Sequence, residues 1–233
     1  MNKNTRGSIF VLIVFCMLMV SCCPGYKKIS LNNYFHSNAD KATVYIKIDV
    51  LTNEGITSSS GTGVAIDRDI STDKSLILTA GHICVETILP NVLSEKMTVY
   101  TISGDGFYSK IVSIDPDFDL CLIEISKSLP IAKIAKKEPK TGDLIMYSGY
   151  PAGLYMPGTK HYFQGFMAGR DQLGDHLYNI PATGGSSGSP IYNSDKEIVA
   201  IVSAVMVDFE HMTFAVGTNN IRNFRDNTNW PTK

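Results

Sequence analysis

The sequence contains little charge and no excess of either sign. Only 18% of its 233 residues are charged, and 21 basic against 22 acidic residues leave a net charge of −1. Nucleic acid selects for a strong basic patch, so this balance gives no reason to expect a nucleic-acid partner. With 44% hydrophobic residues, the chain can fill the core of one ordinary domain or of two small ones. A polypeptide or small-molecule substrate agrees better with this composition.

The sequence also lacks an apolar run long enough for a comfortable transmembrane helix. Its longest run extends only from Ile9 to Val20, whereas spanning a bilayer takes roughly 20 apolar residues. Lys3 and Arg6 precede this run, and a basic start followed by a short apolar stretch is typical of a secretory signal. We therefore predict a signal peptide over residues 1–21 and an extracytoplasmic protein.

The residues that follow make the prediction more specific. Met19-Val20-Ser21-Cys22 resembles the lipobox of bacterial lipoproteins, which is cut before a cysteine that then carries lipid. The resemblance implies that Cys22 is the lipidated first residue of the mature chain, which would tether it to the cell-envelope membrane. A plain signal peptide cut nearby, giving a secreted protein, and an uncleaved anchor are the alternatives.

Several patterns that announce a cofactor are missing as well. No His and Cys spacing resembles a metal site, and no phosphate-binding Gly motif precedes a helix. The sequence has no internal repeat and no low-complexity tract. We expect a monomer that uses neither a metal nor another cofactor.

Short strand-like runs are abundant. After a polar tether over residues 22–40, about a dozen β-branched or aromatic runs alternate with turn residues, which predicts an all-β sandwich or pair of barrels. The runs are ATVYIKIDVL, GTGVAI, SLILTA, MTVYTI, SKIVSI, DLCLIEI, DLIMYSGY, KHYFQGFMAG, DHLYNI, SPIYN, EIVAIVSAV and TFAVG. Helical patterns are limited to a turn after His82 and a terminal helix over residues 219–227.

Three places in this strand pattern could carry chemistry. An apolar strand runs into His82, and Asp119 begins another apolar strand, where a buried carboxylate needs a hydrogen-bond donor such as a His N–H. The stretch GGSSGSP around Ser187 combines a serine with glycines that can direct successive N–H groups at one point. Taken singly, each is more typical of a packing histidine, a turn aspartate or a flexible loop. Together, in the order His, Asp, Ser, they supply the groups needed for acyl transfer.

At these residues the chain resembles the trypsin-like serine peptidases of the chymotrypsin fold. The matching segments are GTGVAI, LTAGH, DFDLCLIEI, SGYPAG, TGGSSGSPIYN and FAVGTNNIRNF. Within that family it is most similar to the bacterial glutamyl endopeptidases, which include the staphylococcal V8 protease, and its C-terminal stretch is also similar to the HtrA protease domain. The resemblance implies a peptidase domain over residues 41–233, made of two perpendicular six-stranded antiparallel β-barrels, roughly 41–130 and 140–217, followed by the short C-terminal helix.

The resemblance also implies a role for each residue. Ser187 would be the nucleophile, His82 the general base and acid, and Asp119 the group that orients His82. The N–H groups of Gly185 and Ser187 would form the oxyanion hole. The family pattern implies a hydrogen bond from Ser203 to the aspartate, although an ordinary strand serine is equally compatible with the residues.

The predicted specificity pocket departs from the glutamyl endopeptidases. Their carboxylate-binding histidine and threonine are replaced by Val202 and Ala182, so a glutamate would lose its water without gaining a partner. Ala204 and Val205 stand where the family prefers glycines and should narrow the entrance. We therefore expect small or medium apolar residues before the cleaved bond. His211 could approach this pocket, but the sequence favours a surface histidine.

Two cysteines accompany the catalytic candidates. Cys84 and Cys121 each lie two residues after one of them, His82 and Asp119 respectively. An export compartment permits a disulfide, but the sequence cannot supply the required geometry, and we expect buried free thiols.

Two other functions compete with a peptidase acting on proteins or peptides. The first is an inactive homologue that keeps the barrels as a binding module, against which the intact His82, Asp119 and Ser187 argue. The second is an esterase or lipase, which would usually show a Gly-x-Ser-x-Gly elbow in an α/β chain with Ser before His. The strand-rich pattern and the residue order here disagree with the second.

Overall fold

A computed structural model describes residues 37–85, 92–172, 174–206, 209 and 211–230 of the chain. The signal peptide predicted for residues 1–21 and the lipid on Cys22 lie outside these residues. The described residues belong to one compact unit, Asn32–Lys233, and form two closed six-stranded barrels with few helices. The all-β, two-barrel prediction is confirmed.

The first barrel has the strand order β1-β2-β3-β6-β5-β4, with every neighbouring pair antiparallel. Its strands are β1 (Thr43–Thr52), β2 (Gly55–Asp69), β3 (Lys74–Ala80), β4 (Val92–Tyr100), β5 (Gly106–Asp115) and β6 (Leu120–Ile125). Strand β3 leads directly into the short helix α2, Gly81–Val85, and β6 begins one residue after Asp119. The two catalytic candidates of this barrel therefore lie at neighbouring strand ends.

The second barrel has the order β10-β11-β12-β9-β8-β7 and is antiparallel throughout. Its strands are β7 (Leu144–Gly149), β8 (His161–Arg170), β9 (His176–Asn179), β10 (Pro190–Tyr192), β11 (Ile198–Val205) and β12 (Met212–Gly217). A 3₁₀ turn, Pro151–Gly153, follows β7. The GGSSGSP stretch leads into β10, which places it at one end of this barrel.

Burial of β-branched and aromatic side chains explains both barrels. In β3, the six residues after Lys74 are all buried, as expected of a strand that is covered on both faces. The second barrel contains a buried cluster in which Tyr147 and Tyr178 are fully buried among aliphatic side chains. The C-terminal helix α3, Thr218–Asp226, buries Ile221 and Phe224, and this three-residue spacing gives the helix one apolar face.

The last residues of the tether predicted over residues 22–40 lie within the described part of the chain, and they contact the folded domain. Ser37 caps the helix α1, Asn38–Lys41, by accepting a hydrogen bond from the Asp40 N–H. Asp40 is buried and forms an ion pair with Lys160, Nζ to Oδ1 2.8 Å, and it accepts a hydrogen bond from Tyr162. The sequence could not reveal this, because the partners of Asp40 follow some 120 residues later.

Contacts of α1 also join the two barrels. Tyr192 of the second barrel donates a hydrogen bond to the Ala39 carbonyl, and its hydroxyl lies 3.3 Å from Thr43 Oγ1. Lys160 also donates to the Asp40 carbonyl. The segment Ser37–Thr43, which precedes and begins the first barrel, therefore packs on the second. Across the described ranges, no helix is both long and apolar enough to cross a membrane.

Candidate active site

The structure brings His82 and Asp119 into direct contact. Ala80 of β3 pairs with Leu120 of β6, so the residues just beyond the two strands are neighbours. His82 Nδ1 lies 3.0 Å from each carboxylate oxygen of Asp119, and the His82 backbone N–H donates to Oδ1 at 2.7 Å. The imidazole ring is therefore held from one side, with its side chain still 43% exposed.

Close backbone packing permits this arrangement. A Cβ on Gly81 would lie 2.9 Å from the Asp119 carbonyl carbon and from the Leu120 nitrogen, so a glycine is needed just before the histidine. Asp119 adopts a left-handed backbone conformation, with φ of 50°, which is uncommon for a residue with a side chain. Strain of this kind is found preferentially at functional sites.

The Asp119 carboxylate receives a second side-chain donor, the hydroxyl of Ser203 on β11. The hydrogen bond predicted from Ser203 is thus present, and it crosses from the second barrel to the first. Burial alone would raise the pKa of Asp119. The hydrogen bonds from His82 and Ser203 outweigh this effect, so the pKa of Asp119 lies below its usual value. The carboxylate is therefore ionised at neutral pH and can fix one tautomer of His82.

The expectation of free thiols at Cys84 and Cys121 is wrong. The two residues form a disulfide, with Cα atoms 6.4 Å apart. Cys84 lies in helix α2, directly after β3, and Cys121 lies on β6 opposite Thr79 of β3. The two cysteines are therefore neighbours at the same end of the paired strands. The equal two-residue offsets from His82 and Asp119 were a signal of this proximity, but they do not specify where the side chains lie.

Residues Thr183–Ser187, which we call the oxyanion loop after the role that the sequence resemblance predicts for it, have carbonyl groups that accept hydrogen bonds from neighbouring residues. Ala152 N–H donates to the Gly184 carbonyl at 2.6 Å and Thr62 Oγ1 to the Gly185 carbonyl at 2.9 Å. The Ser187 carbonyl accepts from the Thr62 N–H at 2.8 Å. Within the part of the chain that the structure describes, the N–H groups of Gly185 and Ser187 donate to no backbone carbonyl.

The geometry of the peptide unit explains what this leaves available. In a trans peptide the C=O and N–H bonds point in opposite directions, and none of the described peptide bonds is cis. Fixing the Gly184 carbonyl on Ala152 therefore turns the Gly185 N–H away from Ala152. Gly185 has φ of 86°, and a Cβ there would lie 2.6 Å from the Tyr150 carbonyl oxygen, so the loop requires glycine at this position.

Two sets of hydrogen bonds bring Ser187 towards the His82–Asp119 pair. Thr79, three residues before His82, donates its hydroxyl to the Thr62 carbonyl at 2.8 Å, and the Thr62 N–H in turn donates to Ser187. On the other side, Gly188 N–H donates to the Val202 carbonyl at 2.8 Å, and the next residue is Ser203. Ser187 is thus joined through Thr62 to the strand that precedes His82, and Gly188 joins it to the strand that carries Ser203. Its side chain is partly exposed.

The predicted pocket residues divide into buried and exposed members. Val202 is 1% exposed in the apolar cluster of the second barrel, and Ala182 packs against that cluster. Ala204 and Val205 are exposed at the end of β11. His211 is exposed as well, as the sequence favours. Over the described residues, no group of three or more His, Cys, Asp and Glu side chains could hold a metal ion.

Three residues that contact the oxyanion loop were not among the sequence candidates. Thr62 lies in the GTGVAI match and Ala152 in the SGYPAG match, yet neither residue type suggests chemistry by itself. Tyr147 donates a hydrogen bond to Ser186 Oγ at 2.7 Å, and a tyrosine in an apolar strand is indistinguishable by sequence from a core residue. Their role depends on contacts across the fold.

Comparison with known proteins defines the class. Residues 61–201, more than half of the 233-residue chain, match the family described as the trypsin-like peptidase domain. The chain therefore belongs to the trypsin-like peptidase family. The predicted likeness to HtrA proteases is also supported, whereas the predicted closeness to the glutamyl endopeptidases stays a prediction.

Individual relatives agree with this assignment. The chain is 27% identical to serine protease HTRA4 of Mus musculus over 184 residues, which cover 75% of this chain and 35% of that protein. It is 27% identical to serine protease Do-like HtrA of Bacillus subtilis over 188 residues, 73% of this chain and 39% of that protein. The serine endoprotease from Yersinia pestis shares the fold, with a TM-score of 0.63 and 21% identity over 80% of this chain and 62% of that one. The chain spans little more than a third of the length of the first two relatives.

Proposed function

We propose that the protein is a serine endopeptidase that hydrolyses peptide bonds in proteins or peptides through an acyl-enzyme. The observation that carries this proposal is the cluster of His82, Asp119 and Ser203 beside the oxyanion loop. In that loop, two backbone N–H groups donate to no backbone carbonyl of the described residues, those of Gly185 and Ser187. A binding module would have no need for a half-buried, ionised Asp119 that orients a partly exposed imidazole.

Each residue has a definite task in the reaction. His82 Nε2 accepts the proton from Ser187 Oγ as the oxygen attacks the scissile carbonyl, and it later returns that proton to the leaving amine. Asp119 accepts a hydrogen bond from Nδ1 and stabilises the imidazolium. The N–H groups of Gly185 and Ser187 stabilise the oxyanion, each contributing on the order of 3 kcal/mol. A water molecule then attacks the acyl-enzyme in the same way: His82 accepts a proton from the water and returns it to Ser187 Oγ as the acyl group leaves.

A fluorophosphonate probe tests this proposal directly. The folded wild-type protein should be labelled once, on the peptide that contains Ser187, because only an activated serine reacts with the probe. Mass spectrometry of the digested adduct identifies the labelled residue. Absence of labelling in the folded protein would contradict the proposal and favour the inactive binding module.

We extend the proposal to specificity on the basis of Val202 and Ala182. Neither Val202 nor Ala182 offers a polar side-chain group, so a glutamate side chain bound beside them would lose its hydration without a compensating donor. Two peptides that differ only in valine or glutamate before the cleaved bond should therefore differ about 100-fold in kcat/KM, in favour of valine. A peptide-library digest gives the full profile, and dominant cleavage after Glu or Arg would refute this preference.

The cellular location forms a separate part of the proposal. The Cys84–Cys121 disulfide is typical of an oxidising, extracytoplasmic compartment and supports export. The proposed lipid on Cys22 rests on the resemblance of Met19-Val20-Ser21-Cys22 to a lipobox. Cells grown with a palmitate analogue should yield labelled wild-type protein and an unlabelled Cys22→Ser variant that leaves the membrane fraction. Unlabelled wild-type protein, with a Cys22→Ser variant that stays membrane-bound, would rule out the lipid anchor.

A further inference from the structure

We propose that two buried hydroxyl groups, those of Tyr147 and Thr62, are positioning residues that hold the oxyanion loop with the Gly185 and Ser187 N–H groups available. This inference rests on the proposed peptidase function and adds to it the groups that pre-form the oxyanion site. The two residues come from different barrels and act on different atoms of the same loop.

The loop needs external support because of its composition. The peptide unit between Gly184 and Gly185 is flanked by two residues without side chains, so its rotation meets little steric resistance. If that unit rotated by half a turn, the Gly184 carbonyl oxygen would point into the oxyanion site in place of the Gly185 N–H. The partial negative charge of that oxygen would repel the oxyanion. Hydrogen bonds to the loop must therefore select the orientation that catalysis needs.

Tyr147 supports the loop from the second barrel. Its hydroxyl donates to Ser186 Oγ at 2.7 Å, and the same oxygen accepts from the Thr183 N–H at 3.1 Å. Ser186 N–H also donates to the Thr183 carbonyl at 2.9 Å, so residues 183–186 form a closed turn. Burial raises the pKa of Tyr147, which keeps the hydroxyl protonated. The ring stacks on Phe163, with centroids 5.0 Å apart, and is rigidly placed.

Thr62 supports the loop from the first barrel. Its Oγ1 donates to the Gly185 carbonyl at 2.9 Å and accepts from the Tyr150 N–H at 3.1 Å. Thr62 is fully buried, in the middle of β2. The Gly185 carbonyl belongs to the same residue as the N–H that must stay in the site. A hydrogen bond that fixes this carbonyl restricts the backbone of Gly185, and it therefore opposes rotation of the peptide unit between Gly184 and Gly185.

Tyr147→Phe and Thr62→Val each remove one hydroxyl while keeping the side-chain shape. Each should lower kcat about 10- to 100-fold, since small displacements of an oxyanion donor carry penalties of that order. KM should change less than about twofold, because the ground-state carbonyl depends little on the oxyanion site. Affinity for a peptide aldehyde, whose adduct with Ser187 mimics the oxyanion, should fall by the same factor as kcat.

Two matched variants control for the loss of a buried hydroxyl. Tyr178→Phe alters a tyrosine of the same apolar cluster whose hydroxyl lies 3.2 Å from His176 Nδ1. Thr218→Val alters a fully buried threonine that donates to the Val199 carbonyl at 2.8 Å. Both should reduce the free energy of unfolding to an extent similar to that of their counterparts while leaving kcat and aldehyde affinity at the wild-type level.

The outcomes separate this inference from the function on which it rests. If the wild type hydrolyses peptide and the Tyr147 and Thr62 variants match the two controls in kcat and aldehyde affinity, the positioning role is wrong and the peptidase stands. If the folded wild type neither hydrolyses peptide nor reacts with the fluorophosphonate, the peptidase proposal is wrong, and this inference, which depends on it, is wrong as well. Parallel losses of kcat and aldehyde affinity, confined to the two loop-contacting variants, support the inference.

Discussion

Replacing Ser187 with alanine should lower kcat/KM for a peptide substrate by about a million-fold and abolish labelling by the fluorophosphonate. Loss of the nucleophile alone is expected to cost about as much as loss of the whole triad, because the three residues act as a unit. The Ser187 side chain is partly exposed and its backbone N–H is retained, so the fold and substrate affinity should be unaffected. Stopped assays with a fluorogenic peptide, and binding of the uncleaved peptide, measure the two effects separately.

Ser194→Ala is the matched control. Ser194 is an exposed serine that follows β10 in the same barrel, and its loss should leave both kcat/KM and labelling at the wild-type level. A Ser187→Ala variant that is folded and still hydrolyses peptide at a few per cent of the wild-type rate would show that another residue is the nucleophile.

The free energy of unfolding of the double variant Cys84→Ser/Cys121→Ser should be about 4 kcal/mol lower than that of the oxidised wild type. The disulfide closes a loop with a sequence separation of 37 residues, and the chain-entropy relation gives a stabilisation of this size for such a loop. The bond also ties the helix that carries His82 to the strand that follows Asp119, so kcat should fall as well. Denaturant-induced unfolding, followed by fluorescence, measures the stability difference.

The reduced wild type provides the comparison for this experiment. Both cysteines are fully buried, so reductant should act only when the protein is unfolded and then allowed to refold. The reduced protein should match the double variant in its unfolding midpoint. Identical midpoints for oxidised protein, reduced protein and double variant would mean that the disulfide contributes nothing to stability.

The sequence predicted the strands well because each is a local pattern. All twelve runs correspond to strands, although β2, Gly55–Asp69, begins six residues before the run GTGVAI. The polar residues before that run carry no apolar alternation, but ten successive pairs between Thr43–Thr52 and Gly55–Val64 extend the strand. Pairing with a neighbour, which no local pattern encodes, decides where such a strand begins.

The candidate site could be proposed from the sequence for a similar reason. The motifs around His82, Asp119 and Ser187 are continuous in sequence, and their chemistry follows from residue type and chain order. The disulfide between Cys84 and Cys121, the buried Asp40 and the Thr62 and Tyr147 hydroxyls each depend on residues far apart in the chain. Such contacts are set by barrel closure and not by any local pattern.

The ion pair between Asp40 and Lys160 has a mechanical consequence. Asp40 lies just before β1 of the first barrel and Lys160 just before β8 of the second, so a movement that separates these two segments breaks the pair. A member that stays buried without its partner costs roughly 3 to 5 kcal/mol. Ser187 lies on one barrel and His82 on the other, so the alignment that the proposed reaction needs depends on how the two barrels are held together. The segment Ser37–Thr43, which precedes and begins the first barrel, therefore helps to hold the two barrels together.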